Sequence, residues 1–402
     1  MQTVRAYWSL AIAGAAILAI TMGIRQSLGL FVSPLNTATG LGIVTVSFTL
    51  AVGQFVWGAA QPVFGAIADR VGPVRVMVAG GLLLAAGLAA TPFMSSSLGL
   101  VFFLGVVTAA GAGAGSFSIL MGAAANRMAP ERRAFASGFI NAGGSFGQFV
   151  FAPLSQAMIA LAGWVAALWA LAAAALATIP LAFAFREKRG APSHGAAAPG
   201  LSLSGQMAVA FRDPSYWCLH AGFFTCGFHI AFLVTHLPGE VTLCGLPASV
   251  SAASLAIIGL ANIAGSLGAG WLGQAHRMKW ILFWMYGARA VAIAAYLLMP
   301  KTAATFYAFA AVLGLTWLAT VPPTAGLVGK LFGTRFLATL FGLTLLSHQV
   351  GGFFGAWLGG LAIERTGSFA WMWYADMALA AAAALVNLPI REAMPAPRAR
   401  AA

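Results

Sequence analysis

Thr21-Met22-Gly23-Ile24-Arg25-Gln26-Ser27-Leu28-Gly29-Leu30-Phe31, closed by Pro34, lies inside the first long apolar run of a 402-residue chain. Its frame returns 204 residues later as Thr225-Cys226-Gly227-Phe228-His229, closed by Pro238. A threonine, a glycine, a basic or titratable residue and a proline recur at one spacing, so the chain reads as two related halves. A guanidinium keeps its charge at any accessible pH, and inside an apolar run it must find a counter-charge, water or an anionic ligand. Gly23 and Gly29 thin the helix around it and let another backbone or a ligand approach.

Outward from that stretch the composition is that of a membrane protein: 61% of residues are hydrophobic and 7% charged, which excludes a soluble globular domain. Apolar runs of about 20 or more residues, each enough to cross the hydrocarbon core, recur along the whole length. Backbone groups in lipid must be bonded within their own segment, so the runs are read as helices, about twelve of them. The first is taken as a retained span, because it runs past the length of a signal peptide with no small-residue cleavage site before Arg25. The net charge of +13 could suggest nucleic acid. Its placement does not: with twelve spans only Lys301 and Arg365 fall on one side, Arg25 and Arg289 fall within spans, and every other Lys and Arg falls on the side of the termini. That bias predicts both termini in the cytoplasm, a multi-pass protein of the bacterial inner membrane, and no nucleic-acid partner.

The repeat extends beyond the opening frame. Gly351, Gly352 and Gly355 match Gly143, Gly144 and Gly147 at an offset of 208, and Gly270 matches Gly65 at 205. The expected organisation is a six-helix bundle over 1–188, a flexible cytoplasmic linker over 189–213, a second six-helix bundle over 214–390 and a disordered tail over 391–402. Two pseudo-symmetric halves of this kind place a binding site between them near the membrane midplane. The glycine-rich faces of spans 4, 5 and 11 are expected to let the halves rock.

Four residues are candidates for that site. Arg25 leads, because no acid of the first half lies at its depth, and its planar fork suits a carboxylate. His229 occupies the equivalent place in the second half, where it could face the same cavity, carry a proton, or simply bond a neighbouring carbonyl. His348, beside Gln349, and Asn141, its approximate counterpart, complete the set. Arg289 and Asp376 approach the same depth from opposite ends of spans 9 and 12, and a buried structural ion pair between them is expected. Cys218, Cys226 and Cys244 have no metal-ligand spacing, and no His, Asp or Glu cluster suits an enzyme, so neither metal nor cofactor is expected.

The turn between spans 2 and 3 reads Gly65-Ala66-Ile67-Ala68-Asp69-Arg70-Val71-Gly72-Pro73-Val74-Arg75. Gly65 and Gly72-Pro73 provide packing and the turn, and Asp69 can pair across the interface to hold one closed state, so Gly65, Asp69, Arg70, Gly72 and Arg75 are read as a gating loop. This G-x-x-x-D-R-x-G-x-x-R pattern resembles the signature loop of the major facilitator superfamily. Within it, G-x-R-Q-S-x-G-L-F around Arg25, C-G-F-H at 226–229 and Val321-Pro322-Pro323-Thr324 resemble the bacterial relatives of the monocarboxylate porters and the oxalate/formate exchanger. The resemblance implies alternating-access transport of a small organic anion, with Arg25 at or next to the carboxylate-binding position of span 1. Several such transporters add an arginine on span 8, where this chain has Ser266. A monomer is expected, and a co-transported proton is left open. A drug or metabolite efflux antiporter and a non-transporting membrane sensor are the alternatives. The first would call for a membrane acid where this chain has an arginine, and the second for a long cytoplasmic domain.

Overall fold

With no water to bond exposed amides, each apolar run closes its own hydrogen bonds as a helix. The computed structural model describes residues 2–117, 119–120, 123, 130–186, 202–273, 275–333 and 336–392, and within them all side chains but those of 2–7, 66, 69, 70, 130–135, 137 and 338. Nine stretches of the described residues are long and apolar enough to cross a membrane. One of these, Gly138–Phe185, is broken into two passes at Gly163, and Leu337–Thr366 and Ala370–Val386 complete a set of twelve.

Span 1 is Gln2–Ser27, prolonged by a 3-10 turn, Leu28–Phe31, and a short helix, Val32–Thr39. Span 2 is Ile43–Val71 and span 3 is Pro73–Ala90. Between them Gly72 takes φ +90°, a backbone state that L side chains resist, and Pro73 starts the next helix with no amide to leave unbonded. Span 4 begins at Ser97–Leu100, passes through a π-helical stretch, Val101–Val107, and continues as Thr108–Ala114. Spans 5 and 6 are the arms 130–162 and 164–176 of one helix broken at Gly163, where φ is +83°. The second half has spans 7 (Pro214–Leu243), 8 (Ala248–Leu272) and 9 (Met278–Leu298). Span 10 is split into Ala303–Thr316 and Val321–Phe332, and spans 11 (Leu337–Thr366) and 12 (Ala370–Val386) follow.

The repeated glycines have one physical use in both halves. A Cβ on Gly143 or Gly147 would stand 2.3 or 2.0 Å from the carbonyls of Ala15 and Ala19, and one on Gly351 or Gly355 would stand 2.0 or 2.1 Å from those of Phe224 and Phe228. Bare backbone at four-residue steps lets span 5 run along span 1, and span 11 along span 7, closer than any side chain would allow. Span 4 does the same within its half, since a Cβ on Gly111 would lie 2.3 Å from the Leu84 amide nitrogen. Most of these glycines bind helices inside one half, but on span 11 Gly352 and Gly360 face Gln54 and Ser47 of span 2 in the other half.

The halves meet along spans 2 and 11, 5 and 8, and 1 and 7. Contact is close at mid-depth and toward the end remote from the termini. A Cβ on Gly58 would lie 2.2 Å from the Gln349 side chain, one on Gly259 2.8 Å from the Ser145 carbonyl, and one on Gly29 1.8 Å from the Val234 carbonyl. Two turns toward the termini, on the same helix faces, nothing among the described residues lies within 4 Å of Gly65, Gly138 or Gly342, nor of Gly270 three turns below Gly259. Among the described residues, the halves are in close contact at one end and apart at the other.

Two stretches expected to be irregular hold structure in part. Of the linker, Leu203–Phe211 is a helix whose first turn is capped by Ser202 accepting from the Gly205 amide, because a Ser N-cap and an apolar run outweigh the flexible composition around them. Residues 189–201 lie outside those described. The tail is held as far as Glu392. Its carboxylate accepts from the Met278 and Lys279 amides at the start of span 9 and pairs with Lys330 at 2.7 Å, while Arg391 pairs with Asp213, the N-cap of span 7. Lys279 in turn donates to the carbonyls of Leu388 and Ile390. A carboxylate on a helix N-terminus is worth about 0.3–1 kcal/mol. Glu392→Gln is expected to lower the melting temperature by about 1 °C, read by thermal unfolding in detergent.

Candidate functional site

Arg25 lies where span 1 passes between span 2 and the other half, and helical spacing on span 2 brings two of its residues to the guanidinium. Arg25 Nη2 donates to Gln54 Oε1, and the guanidinium carbon stands 4.2 Å from the centre of the Trp57 ring. Gln54 and Trp57, three positions apart, share one face of span 2. Nε is buried without a partner, and among the described residues no carboxylate pairs with Arg25. The cation is oriented but not neutralised. Beside it is a pocket lined by Leu28, Gln54, Leu104 and Thr108 of the first half and by Val234 and Thr235 of span 7, so both halves form its wall. The wall of span 4 there includes the π-helical stretch, a distortion that proteins often keep at functional sites.

Across the interface, span 11 brings His348 and Gln349. Their side chains bond each other, Nε2 of Gln349 to Nδ1 of His348 at 3.0 Å. His348 Nε2 and Gln349 Oε1 are buried without partners, and the fields of Arg25 and Arg289 both reach the His348 ring. Gln349 packs on Gly58, one residue past Trp57, and Gly352 packs on Gln54. Arg25, Gln54, Trp57, Gln349 and His348 thus form one polar seam in an apolar bundle. Two further cross-helix polar pairs lie along it: Gln26 with Gln148 at 3.0 Å, and Asn262 with Ser145 at 2.8 Å. Asn141 is half-buried one turn from Ser145 and has no protein partner among the described residues.

His229 is elsewhere. Its side chain is fully buried, with Nδ1 against Asp376 Oδ2 of span 12 and its ring 5.7 Å from that of Trp317. The expectation that His229 faces the Arg25 cavity is corrected: span 12 offers a buried acid at that level, and the imidazole turns to it. The expected Arg289–Asp376 ion pair is corrected with it. Arg289 Nη2 donates instead to the carbonyls of Thr316 (2.7 Å) and Trp317 (3.2 Å). Span 10 breaks there, its helix resuming at Val321-Pro322-Pro323, and the carbonyls at the end of a half-helix attract a cation.

In the loop between spans 2 and 3, Gly65 has no described residue outside its own helix within 4 Å of its Cβ position, Gly72 forms the turn and Arg75 is exposed. The side chains of Asp69 and Arg70 lie outside the described residues. Gln54 and Trp57 were not singled out in the sequence, although Gly53-Gln54-x-x-Trp57-Gly58 is a polar interruption of an apolar span of the kind that marks a site.

The Major Facilitator Superfamily model matches residues 12–356. The chain is 26% identical over 377 residues to the oxalate:formate antiporter of Oxalobacter formigenes, covering 90% of this chain and 86% of that protein. It is 24% identical over 379 residues to monocarboxylate transporter 13 of Rattus norvegicus, covering 92% and 86%. Among solved structures, the D-xylose–proton symporter superposes with a TM-score of 0.75 at 14% identity over 96% of this chain and 98% of that one. A bacterial homologue of the human lysosomal transporter Spinster, in an inward-facing and unoccupied conformation, gives 0.68 at 14% identity over 96% and 95%. The two structural likenesses show the fold alone.

Proposed function

The chain belongs to the Major Facilitator Superfamily, and on that premise we propose that it is a secondary transporter of a small, monocarboxylate-like organic anion working by alternating access. The observation that carries this reading is Arg25: a cation that no protein carboxylate neutralises, oriented by Gln54 and Trp57, at a pocket walled by both halves. A carboxylate arriving there would take the free donors of the guanidinium in charge-assisted hydrogen bonds and end the isolation of its charge. The seam of Gln349 and His348 would read the rest of a small molecule. The substrates named for the oxalate:formate antiporter and the monocarboxylate transporters are of this chemical kind.

The positive-inside distribution supports both termini in the cytoplasm, and a monomer in the bacterial inner membrane is part of the proposal. On that orientation the open end of the bundle is the cytoplasmic one. Asp69, Arg70 and Arg75, with Gly65, would then close against the other half in the opposite state, where the open space below Gly65 is filled. Proteoliposomes of the purified protein, tested for exchange of labelled formate, oxalate, lactate and pyruvate, check the substrate class. Saturable exchange of at least one of these acids is expected. If none of the four is exchanged while an organic cation is, the efflux reading takes its place.

A further inference from the structure

A second polar cluster lies inside the second half, away from Arg25, and the anion site makes no use of it. His229 of span 7 and Asp376 of span 12 touch through Nδ1 and Oδ2, both side chains wholly excluded from solvent. Among the described residues His229 Nε2 and Asp376 Oδ1 have no hydrogen-bond partner, and Arg289, whose charge reaches the pair, keeps Nε and Nη1 unpartnered. The titratable and charged groups that face the pair are Arg289 and Tyr286 of span 9, whose guanidinium and ring are 5.4 Å apart, and Cys226 on span 7 itself. Among the described residues span 10 brings Trp317 and Thr320 to this level, span 8 brings Asn262, which accepts from the Leu318 amide, and span 11 brings His348.

The charges make this arrangement more than packing. Arg289 is already held by the carbonyl end of a half-helix, so it needs no carboxylate. Asp376 then stands beside an imidazole that can be neutral or cationic, and the unbonded nitrogen and oxygen of the pair give a proton a place to enter and leave. Replacing such a cluster by packed apolar side chains would often be neutral or stabilising, so a purely structural need does not account for it. The cluster also sits on the helix that seals the halves. Span 7 meets span 1 at Val234 and Gly29, five residues beyond His229. Whether His229 is tied to Asp376 therefore bears on how firmly span 7 is held to its own bundle.

We propose that His229 and Asp376 form the proton-binding site of this carrier, the proton residing on the imidazole–carboxylate pair beside Arg289 and its loss loosening span 7 from span 12. Protonated, the pair is an imidazolium against a carboxylate; on release the proton leaves from His229, a neutral imidazole remains and the charge attraction between the two helices ends. The coupled transport rests on the anion-carrier reading above, whereas the proton site itself does not.

The experiment has a readout for each. In proteoliposomes without substrate, tryptophan emission of the wild type is followed between about pH 5 and 8, the range in which an imidazole changes charge. A transition is expected that is lost in His229→Gln and in Trp317→Phe, because a cationic ring beside Trp317 quenches it. With whichever of formate, oxalate, lactate and pyruvate the wild type exchanges, Asp376→Asn is expected to keep exchange within about threefold and to lose about tenfold or more of the accumulation driven by an imposed pH gradient, a change of about 1.4 kcal/mol in coupling. An emission profile unchanged in His229→Gln, or full gradient-driven accumulation by Asp376→Asn, overturns the proposal. So does equal loss of exchange and accumulation in both Asp376→Asn and His229→Gln, since that makes the pair part of the fold. If the wild type exchanges none of the four acids, the anion reading fails while the emission readout still decides the proton site.

Discussion

Arg25→Ala is expected to lower the initial rate of organic-acid uptake by about 100-fold or more, with the protein still folded and inserted. Truncating one partner of a buried, hydrogen-bonded charge pair costs about 2–5 kcal/mol, and each 1.4 kcal/mol is a factor of ten. Most of that cost falls on the loaded carrier, because among the described residues Arg25 bonds Gln54 and stacks on Trp57 and pairs with no carboxylate. Arg25→Lys is the sharper test. Lysine keeps the charge but loses the planar fork and the stacking, so a decrease of about tenfold is expected where a carboxylate was held by two parallel bonds. Uptake by Arg25→Ala equal to that of the wild type would remove the residue from the site. The fold would be untouched by that result.

Gly29→Ala is expected to slow turnover by about tenfold. A methyl group on Gly29 would lie 1.8 Å from the Val234 carbonyl oxygen and 3.1 Å from the Thr235 Cα, backbone atoms that cannot swing aside. Spans 1 and 7 must separate, and the strain falls on the state in which this end of the bundle is closed. Overpacking of this kind costs about 1–3 kcal/mol. Applied to one state of a two-state carrier, that shifts the populations about 5- to 150-fold toward the other state. Spin labels at Gly65→Cys and Gly342→Cys, positions with nothing within 4 Å, report the opposite end directly. The distance between them is expected to shorten in the Gly29→Ala background, and an unchanged distance with slowed turnover would sink the argument. Gly227→Ala is the control. Its Cβ would lie 1.7 Å from the His348 carbonyl, within one half, so it penalises both states and should lower the yield of folded protein without redistributing conformations.

These two glycines look alike in the sequence, and only one of them lies between the halves. The same limit governs the site. Twelve apolar runs, the internal repeat and the lone guanidinium at Arg25 are readable from residue order, because hydrocarbon thickness sets span length and a charge in an apolar run is conspicuous wherever its helix packs. The height of each side chain along its span is readable too: Arg289 and Asp376 were placed at a common level, and the cluster does gather there with His229. Direction around the helix axis is not. It depends on which neighbour stands on that side, and the neighbour comes from a distant part of the chain.

Asp376 therefore went to His229, Arg289 to the carbonyls freed where span 10 breaks before Pro322 and Pro323, and Arg25 to Gln54 and Trp57, which no spacing rule linked to it. Two equivalent positions of an internal repeat, 25 and 229, took different partners because span 12 offers an acid that span 6 lacks at that level. By itself the sequence determined how many times the chain crosses, that it does so as two related halves, and that one of them carries a cation in need of a counter-charge. The tertiary structure alone decided which polar groups meet, because hydrogen bonds and ion pairs act over about 3 Å and only helix packing brings residues more than a hundred positions apart within that reach.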